Sequence, residues 1–323
     1  FVVVLNVPLV RGSGTIYIRA DGSIDPSDAP ISTFDNVTYT LTGNITSDAD
    51  GIVVERSHII INGNGFTVEG SGSGCGFNLT GITNVTIQNT NIKNFGYGIY
   101  ISYSSDNSIT ENNMTGNIVA GICLETYTSN NSISKNAFVT DGLFLLWSSY
   151  GNVVVDNLVN GKPLVYLEGV SGYTVEDAGQ VILLNCTNIL VENLNLSNTD
   201  KGVQLWETTN TTIAGNNVAD GQGIYLSYSS NNNIVGNNVA ANMGDGIHLH
   251  VSSNNTISGN IATDNECGIN LYSSSNNSIS GNDLANIRWG VNLLYSSNNN
   301  SISGNNITDN SDYGILLNYS SSN

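Results

Sequence analysis

The sequence predicts an all-β fold, a right-handed parallel β-helix with rungs of about 22 residues, because one short phrase repeats along the chain. The phrase is Gly-Ile-x-Leu or a close variant, and most neighbouring copies lie 21 to 24 residues apart. Composition agrees, since only 11% of residues are charged while Ile, Leu and Val are interleaved regularly with Gly, Asn, Ser and Thr. The copies begin at Gly98, Gly121, Gly142, Gly202, Gly223, Gly246, Gly268, Gly290 and Gly314.

Each repeat contains the pattern of three short strands. The first strand alternates apolar and polar residues, so one of its faces is predicted to point inward. A Ser-Ser-Asn-Asn turn leads to a second strand with one inward Ile, and a Gly-Asn corner leads to a third. Inward residues of the third strands are predicted to be Met114, Phe138, Val218, Val239, Ile261, Leu284 and Ile307. Stacked copies can bury these residues together, and the crossover rule for parallel strands favours right-handed coiling.

The pattern divides the chain into two regions. Residues 1–50 are predicted to form an N-terminal strand and cap region, and residues 51–323 the parallel β-helix, with an irregular rung near 161–180. The apolar residues 1–10 suit either the remnant of a secretory signal or a first strand, which another subunit could receive. No run of about 20 apolar residues is present, so we expect no membrane span within this sequence.

Charge and cysteine placement exclude some classes of protein. The net charge is -18 with only 8 Lys and Arg, and the scattered bases cannot displace counterions from phosphates, so nucleic acid is not an expected partner. Cys75, Cys123 and Cys267 fall on rungs too far apart for a disulfide. We therefore expect the four cysteines to be buried free thiols.

A column of asparagines follows the Gly-Asn corner. Stacked in register, these amides can hydrogen-bond from rung to rung, and we expect Asn to supply the left-handed backbone that the corner needs. A structural role is therefore favoured over ligand binding. The predicted ladder comprises Asn112, Asn136, Asn157, Asn216, Asn237, Asn260, Asn282 and Asn305.

These phrases, together with Lys162-Pro-Leu-Val-Tyr-Leu167 and Gly179-Gln-Val-Ile-Leu183, resemble the NosD-like β-helix repeat proteins that are abundant on archaeal cell surfaces. The resemblance covers most of the chain and implies the fold more strongly than an activity. It suggests a periplasmic copper-associated maturation factor, and similar repeats occur in carbohydrate-binding and sugar-cleaving proteins.

Candidate chemical groups are few. Copper sites need clustered Met, Cys or His, and the only local pair is His248 with His250, so we expect no metal site and no cofactor. Carboxylates could stack at Asp220, Asp245 and Asp264, where calcium would be the fitting ion, or pair at Glu176 and Asp177. Because lyases also need positioned bases, which are scarce here, we expect no enzyme.

Glycosylation sequons are frequent, which suits an exported chain. Six of them precede the inward Ile of a second strand by three residues, at Asn84, Asn130, Asn210, Asn254, Asn276 and Asn299, so they should share one edge. The others are at Asn36, Asn44, Asn78, Asn113, Asn185, Asn195, Asn306 and Asn318.

The function that these patterns favour is that of an extracellular structural β-solenoid glycoprotein: a stalk, surface-layer component or filament subunit that associates with itself or with other surface proteins. The alternative is a carbohydrate-binding or polysaccharide-degrading β-helix protein, and the second alternative, which the resemblance implies, is a NosD-like periplasmic copper-associated factor. Glycan binding is considered because a tyrosine column is predicted on the outer face. Stacking between its rings is favoured over stacking on sugars. The column comprises Tyr103, Tyr127, Tyr228, Tyr272, Tyr295 and Tyr319.

Overall fold

A computed structural model describes residues 14–147 and 149–323, so the apolar segment 1–10 lies outside the described residues. The described chain is all-β, a β-solenoid of about 13 turns with rungs of about 22 residues. The predicted β-solenoid is therefore confirmed. No helix occurs in the described ranges.

Each regular rung supplies up to three strands. The first strands are β1 (Ile16–Ile18), β6 (Ile52–Val54), β9 (Cys75–Thr80), β12 (Tyr97–Ser102), β15 (Ala120–Glu125), β18 (Leu143–Leu145), β21 (Lys162–Glu168), β23 (Gln180–Leu184), β25 (Val203–Trp206), β28 (Ile224–Ser227), β31 (Asp245–His250), β34 (Cys267–Tyr272), β37 (Trp289–Leu294) and β40 (Tyr313–Asn318).

The second strands, which follow the Ser-Ser-Asn-Asn turn in the regular repeats, are β4 (Thr38–Leu41), β7 (Ile59–Asn62), β10 (Val85–Gln88), β13 (Ser108–Thr110), β16 (Ser132–Ser134), β19 (Val153–Val155), β22 (Ser171–Val175), β24 (Thr187–Glu192), β26 (Thr212–Ala214), β29 (Asn233–Val235), β32 (Thr256–Ser258), β35 (Ser278–Ser280) and β38 (Ser301–Ser303).

The third strands are β5 (Ile45–Thr46), β8 (Thr67–Glu69), β11 (Asn91–Lys93), β14 (Asn113–Thr115), β17 (Ala137–Val139), β20 (Leu158–Val159), β27 (Asn217–Ala219), β30 (Asn238–Ala240), β33 (Ile261–Thr263), β36 (Asp283–Ala285) and β39 (Asn306–Thr308). Two further strands, β2 (Ile24–Asp25) and β3 (Ile31–Thr33), pair antiparallel with β1 and β4.

The described residues form two compact units, an N-terminal unit within 1–137 and 143–153 and a C-terminal unit (138–142 and 154–323). In the N-terminal unit, β1 pairs in parallel with β6 and β4 with β7. The strands before residue 51 are thus already paired with the following rung.

In the C-terminal unit, the segment 161–180 contains β21 and β22. Strand β21 forms a hairpin with β20 through the antiparallel pairs Leu158–Pro163 and Val159–Lys162, and then pairs in parallel with β23. From β23 onward the first strands stack in parallel up to β40. These first strands carry the candidate site.

Inward columns form the core of the C-terminal unit. Ile224, Ile247 and Ile269 stack in register and are fully buried, because alternate side chains of a strand point to one side of the sheet. The third strands contain one departure from the predicted pattern. Ile261 is 46% exposed, and Ala262 pairs with Val239 in the core. The prediction that Ile261 points inward is therefore wrong.

Buried asparagines form ladders between the rungs. In the C-terminal unit, each amide Nδ2 donates to the Oδ1 of the next ladder residue, over 2.9 to 3.0 Å from Asn216 to Asn305. In the N-terminal unit, Asn112 donates to Asn136 over 3.2 Å. Asn157 donates to the carbonyl of Val155.

The backbone at this corner differs from the prediction. The ladder asparagines do not adopt the left-handed conformation; the residue before each of them does, with φ between 57° and 64°, so their own conformation was predicted wrongly. Most of these preceding residues are glycines, which accept positive φ without a steric penalty. They are Glu111, Lys135, Asp156, Gly215, Gly236, Gly259, Gly281 and Gly304.

Two further asparagine ladders were not predicted. One lies at the corner before the second strands and has a run in each unit, from Asn107 to Asn152 and from Asn232 to Asn323. The other joins Asn242 to Asn265. Together the ladders satisfy backbone groups at corners where strand pairing is interrupted.

All four cysteines are buried and free, as predicted. Burial is the main cause that raises the pKa of the Cys75 thiol to about 12. Such a thiol stays protonated and packs as a small apolar side chain.

Candidate functional site

The outer surface of the first-strand sheet in the C-terminal unit carries the richest set of functional side chains. In β31, Ile247 and Leu249 are fully buried, and the residues between and after them, His248 and His250, face outward. Gln204 of β25, Tyr225 of β28 and Asn270 of β34 occupy the same column as His248, because these residues are paired in register. This column lies on the outer side of the sheet, where Tyr225, His248 and Asn270 are half-buried and Gln204 is fully buried.

A second outward column is aromatic, and we call it the aromatic stripe: Trp206, Tyr228, His250, Tyr272, Tyr295 and Tyr319. Neighbouring ring centroids lie 5.6, 5.9, 5.2, 4.9 and 6.2 Å apart along this order. Such distances are typical of tilted and stacked aromatic pairs. The rings hold one another in place along six consecutive rungs.

Two backbone positions supply the rings of the stripe. Trp206, His250 and Tyr272 end their first strands, whereas Tyr228, Tyr295 and Tyr319 occupy the next position, in the turn. These three tyrosines have φ of 48°, 46° and 54°, the left-handed conformation. Their rings remain accessible, with exposed fractions of 41%, 50% and 79%.

The predicted tyrosine column is only partly continuous. Tyr103 and Tyr127 form a separate pair in the N-terminal unit, with centroids 5.8 Å apart. The stripe of the C-terminal unit contains the other four tyrosines and two residues absent from the prediction, Trp206 and His250. The sequence signal for both was present, since each follows the Leu of a Gly-Ile-x-Leu copy.

Beside the stripe lies a polar group that we call the Lys201 cluster: Lys201, Tyr225, Asp245, His248 and Asn270. The Lys201 Nζ atom lies 5.1 Å from the centroid of the Tyr225 ring, and that ring lies 5.1 Å from the His248 ring. His248 Nδ1 is 2.5 Å from Asp245 Oδ2, which also accepts a hydrogen bond of 2.8 Å from Asn270 Nδ2. All five residues are half-buried.

Burial shifts the proton affinity of two groups in the cluster. It lowers the pKa of Lys201 to about 8, with Asp245 and Asp200 opposing the shift. It also raises the pKa of Tyr225. An ammonium that loses its proton at about pH 8 and a phenol that retains its own are groups suited to acid and base chemistry.

The predicted carboxylate column does not form. Asp220 and Asp264 lie in the corners after the third strands, with φ of 55° and 56°, whereas Asp245 belongs to β31 and pairs with Cys267. The prediction that Asp245 stacks with the other two is therefore wrong, because its offset from the following Gly-Ile differs from theirs. Glu176 and Asp177 are exposed, and Asp177 lies 3.7 Å from the Lys162 ammonium.

The sequon asparagines are almost all on the surface. The six that precede a second strand are exposed, and each has a φ between 52° and 59°. Of the other eight, Asn78 alone is half-buried, and it donates a hydrogen bond to Asp50.

Sequence reasoning missed Lys201 and Tyr225. Lys201 directly precedes Gly202, and Asp245 directly precedes Gly246 two copies later. Aligning the repeat copies would have placed Lys201 and Asp245 in one column, with Tyr225 in the neighbouring column on the rung between them.

The architecture defines the chain as a parallel β-helix repeat protein, in which each repeat forms one rung. A family described as periplasmic copper-binding protein (NosD) matches residues 16–143, 140–288 and 245–323. The chain belongs to the NosD family, as the resemblance of its repeats predicted. It matches no curated protein sequence.

Several solved structures are similar to the chain. The periplasmic alginate epimerase AlgG has 14% identity and a TM-score of 0.35, with 90% of this chain and 80% of that one covered. The A-module of the mannuronan C-5 epimerase AlgE4 from Azotobacter vinelandii has 17% identity and a TM-score of 0.36, covering 90% and 89%. The surface protein and adhesin PfbA of Streptococcus pneumoniae has 13% and 0.35, covering 87% and 90%. At these values the likeness concerns the β-helix architecture alone.

The family description implies copper, and the donor set does not fit a copper site. His248 Nδ1 is engaged by Asp245, Met114 is in the core and Met243 is 68% exposed. Over the described ranges, no group of three or more His, Cys, Asp or Glu side chains is arranged to hold a metal ion.

In the part of the chain that the structure describes, there is no helix long and apolar enough to cross a membrane.

Proposed function

We propose that this chain is an exported, glycosylated surface β-solenoid that binds a polysaccharide along its aromatic stripe. The observation that supports this function is the unbroken series of ring contacts from Trp206 to Tyr319 on the outer face of one sheet. Trp206 is only 6% exposed, so the accessible part of the stripe runs from Tyr228 to Tyr319. An exposed aromatic surface of this kind is typical of a binding site.

Binding follows from the spacing of the rungs. A sugar chain laid along the stripe meets a new ring about every 4.8 Å, the distance between paired strands. The C–H face of a sugar ring can pack against the face or edge of an aromatic ring. Because the rings already contact one another, little side-chain freedom is lost when the ligand binds.

The double variant Tyr272→Ala with Tyr295→Ala tests this function. We expect it to weaken polysaccharide binding about tenfold or more, since each ring contact contributes about 0.5 to 1.5 kcal/mol. Affinity electrophoresis and calorimetry against a panel of neutral and acidic polysaccharides measure the change.

The matched control is Tyr173→Ala. Tyr173 is similarly exposed, at 49%, and lies on β22, among the second strands. Its removal should leave binding unchanged. Failure of the wild-type chain to bind any member of the panel would refute the proposed function, as would an equal loss in the control.

Glycosylation is expected at the edge formed by Asn254, Asn276 and Asn299. These three side chains are exposed on successive rungs, about 4.8 Å apart, which is too close for glycans on all three at once. Glycopeptide mass spectrometry of protein from its native host should find sugar on at least one of them and never on all three. Bare asparagines throughout would contradict the proposed glycan edge.

A further inference from the structure

Four residues of the Lys201 cluster come from three consecutive rungs, and Asn270 lies on the next rung. Lys201 precedes β25, Tyr225 lies in β28, and Asp245 and His248 lie in β31. The ring contact between Tyr225 and His248 and the position of the Lys201 ammonium over Tyr225 join the three rungs into one site. This site borders the aromatic stripe, because the His248 and His250 rings are stacked with centroids 6.5 Å apart.

His248 has the geometry of a general base. Its Nδ1 atom faces the Asp245 carboxylate at 2.5 Å, so in the neutral imidazole Nδ1 donates its proton and Nε2 carries the lone pair. Asn270 fixes the carboxylate from the next rung through its Nδ2 donor. A carboxylate that orients an imidazole in this way is the arrangement by which histidine accepts protons in many active sites.

Tyr225 and Lys201 supply the other two functions that proton transfer needs. The Tyr225 hydroxyl can act as an acid, because burial raises its pKa and keeps it protonated. The Lys201 ammonium is the positive charge of the cluster and suits a carboxylate of the ligand. At physiological salt, charges more than about 8 Å apart are largely screened from each other. A bound carboxylate is therefore attracted by the Lys201 ammonium more strongly than it is repelled by the net negative charge of the chain.

The set of groups discriminates between reactions. Glycoside hydrolysis needs two carboxylates flanking the bond, and in this cluster Asp245 is already engaged by His248 and Asn270. Removal of a proton from the carbon next to a carboxylate needs a base, an acid and a cation. Those three groups are present in the cluster. In an acidic polysaccharide, the carbon next to a carboxylate belongs to a uronate residue.

We propose that the Lys201 cluster cleaves a uronate-containing polysaccharide by β-elimination, which rests on the proposed function and names its substrate class. His248 Nε2 takes the proton from the carbon that bears the carboxylate, while Lys201 binds that carboxylate. The electron pair forms a double bond to the adjacent carbon, whose bond to the glycosidic oxygen breaks. Tyr225 protonates the leaving oxygen and regains a proton from His248 through solvent, so no co-reactant is consumed.

The test incubates the full chain with polygalacturonate, polymannuronate and polyguluronate, with dextran as the neutral control. We expect unsaturated sugar ends, detected by ultraviolet absorbance and mass spectrometry, from at least one uronate polymer and none from dextran. His248→Gln and Tyr225→Phe should each lower the rate by about 100-fold or more. The controls Lys162→Met and Tyr173→Phe, both outside the cluster, should retain the wild-type rate.

The role of Lys201 is tested separately, through the pH dependence of the rate. The wild-type rate should fall above pH 8, where the Lys201 ammonium, which interacts with Asp245 and Asp200 and lies over the Tyr225 ring, loses its charge. In Lys201→Arg the charge persists and the fall should disappear, whereas Lys201→Met should raise KM at every pH. A merely structural lysine would not produce this pattern.

The outcomes separate the two proposals. Binding of a uronate polymer without unsaturated ends overturns the elimination and leaves the proposed function standing. Neither binding nor product overturns both. Undiminished product formation by folded His248→Gln and Tyr225→Phe variants would show that the chemistry occurs elsewhere and overturn the assignment of the cluster.

Discussion

Replacing Asn237 with alanine is expected to lower the free energy of unfolding by about 3 to 5 kcal/mol, because several buried polar groups lose their partners at once. The Oδ1 atom of Asn237 accepts hydrogen bonds from the backbone N–H and the Nδ2 of Asn216. Its Nδ2 atom donates to the Ile213 carbonyl and to Asn260 Oδ1, each over 2.9 Å. Alanine reaches none of these groups.

The neighbouring residue is the control. Asn238 is exposed and donates only to Asn217 Oδ1 on the surface, so Asn238→Ala should cost less than about 0.5 kcal/mol. Denaturant unfolding gives the size of the loss, and hydrogen exchange at the Asn216 amide locates it. Similar unfolding curves for the two variants would show that the ladder contributes little to stability.

Replacing Gly268 with alanine is expected to destabilise the protein by about 3 kcal/mol, through overpacking. A methyl group there would lie 2.7 Å from the carbonyl oxygen of Gly290 and 2.7 Å from Ile287 Cδ1. The isoleucine can rotate away, but the carbonyl belongs to the next rung's backbone, which strand pairing holds in place. Only glycine therefore fits at position 268, where the backbones of two neighbouring rungs lie this close together.

Gly244 provides the comparison for this variant. A methyl group at Gly244 meets no atom within 4 Å, and its backbone is outside the left-handed region, so Gly244→Ala should be neutral or slightly stabilising. Thermal and denaturant unfolding of both variants measure the difference. Equal stability of the two would mean that the rungs can shift to accept a side chain.

The sequence was sufficient to predict the β-helix, because the columns are built from repeats that recur at a constant interval. It failed where two adjacent residues both suit the inward position. At Ile261 and Ala262, hydrophobicity alone favoured the isoleucine, whereas the register with Val239 and Leu284 places the alanine in the core. Register is decided by all rungs together and overrides the preference of one residue.

The candidate site was less predictable than the fold. Four tyrosines of the stripe were found because they repeat, but Trp206 and His250 each occur once in that column and were not recognised as its members. Tyr225 and His248 are likewise different residues at equivalent positions, as are Lys201 and Asp245, so a search for identical residues does not find them. Self-association and contacts with other surface proteins stay predictions.

The constant register has a consequence for how such a chain can change its length. Where successive rungs carry equivalent side chains in every column, a segment of one rung can be duplicated or lost and the columns rejoin without a mismatch. The rungs that hold Lys201, Tyr225 and His248 are not interchangeable, because their order creates the cluster. Growth or shortening of the gene by whole repeats is therefore tolerated beyond Cys267, whereas between Lys201 and His250 it would separate partners that act together.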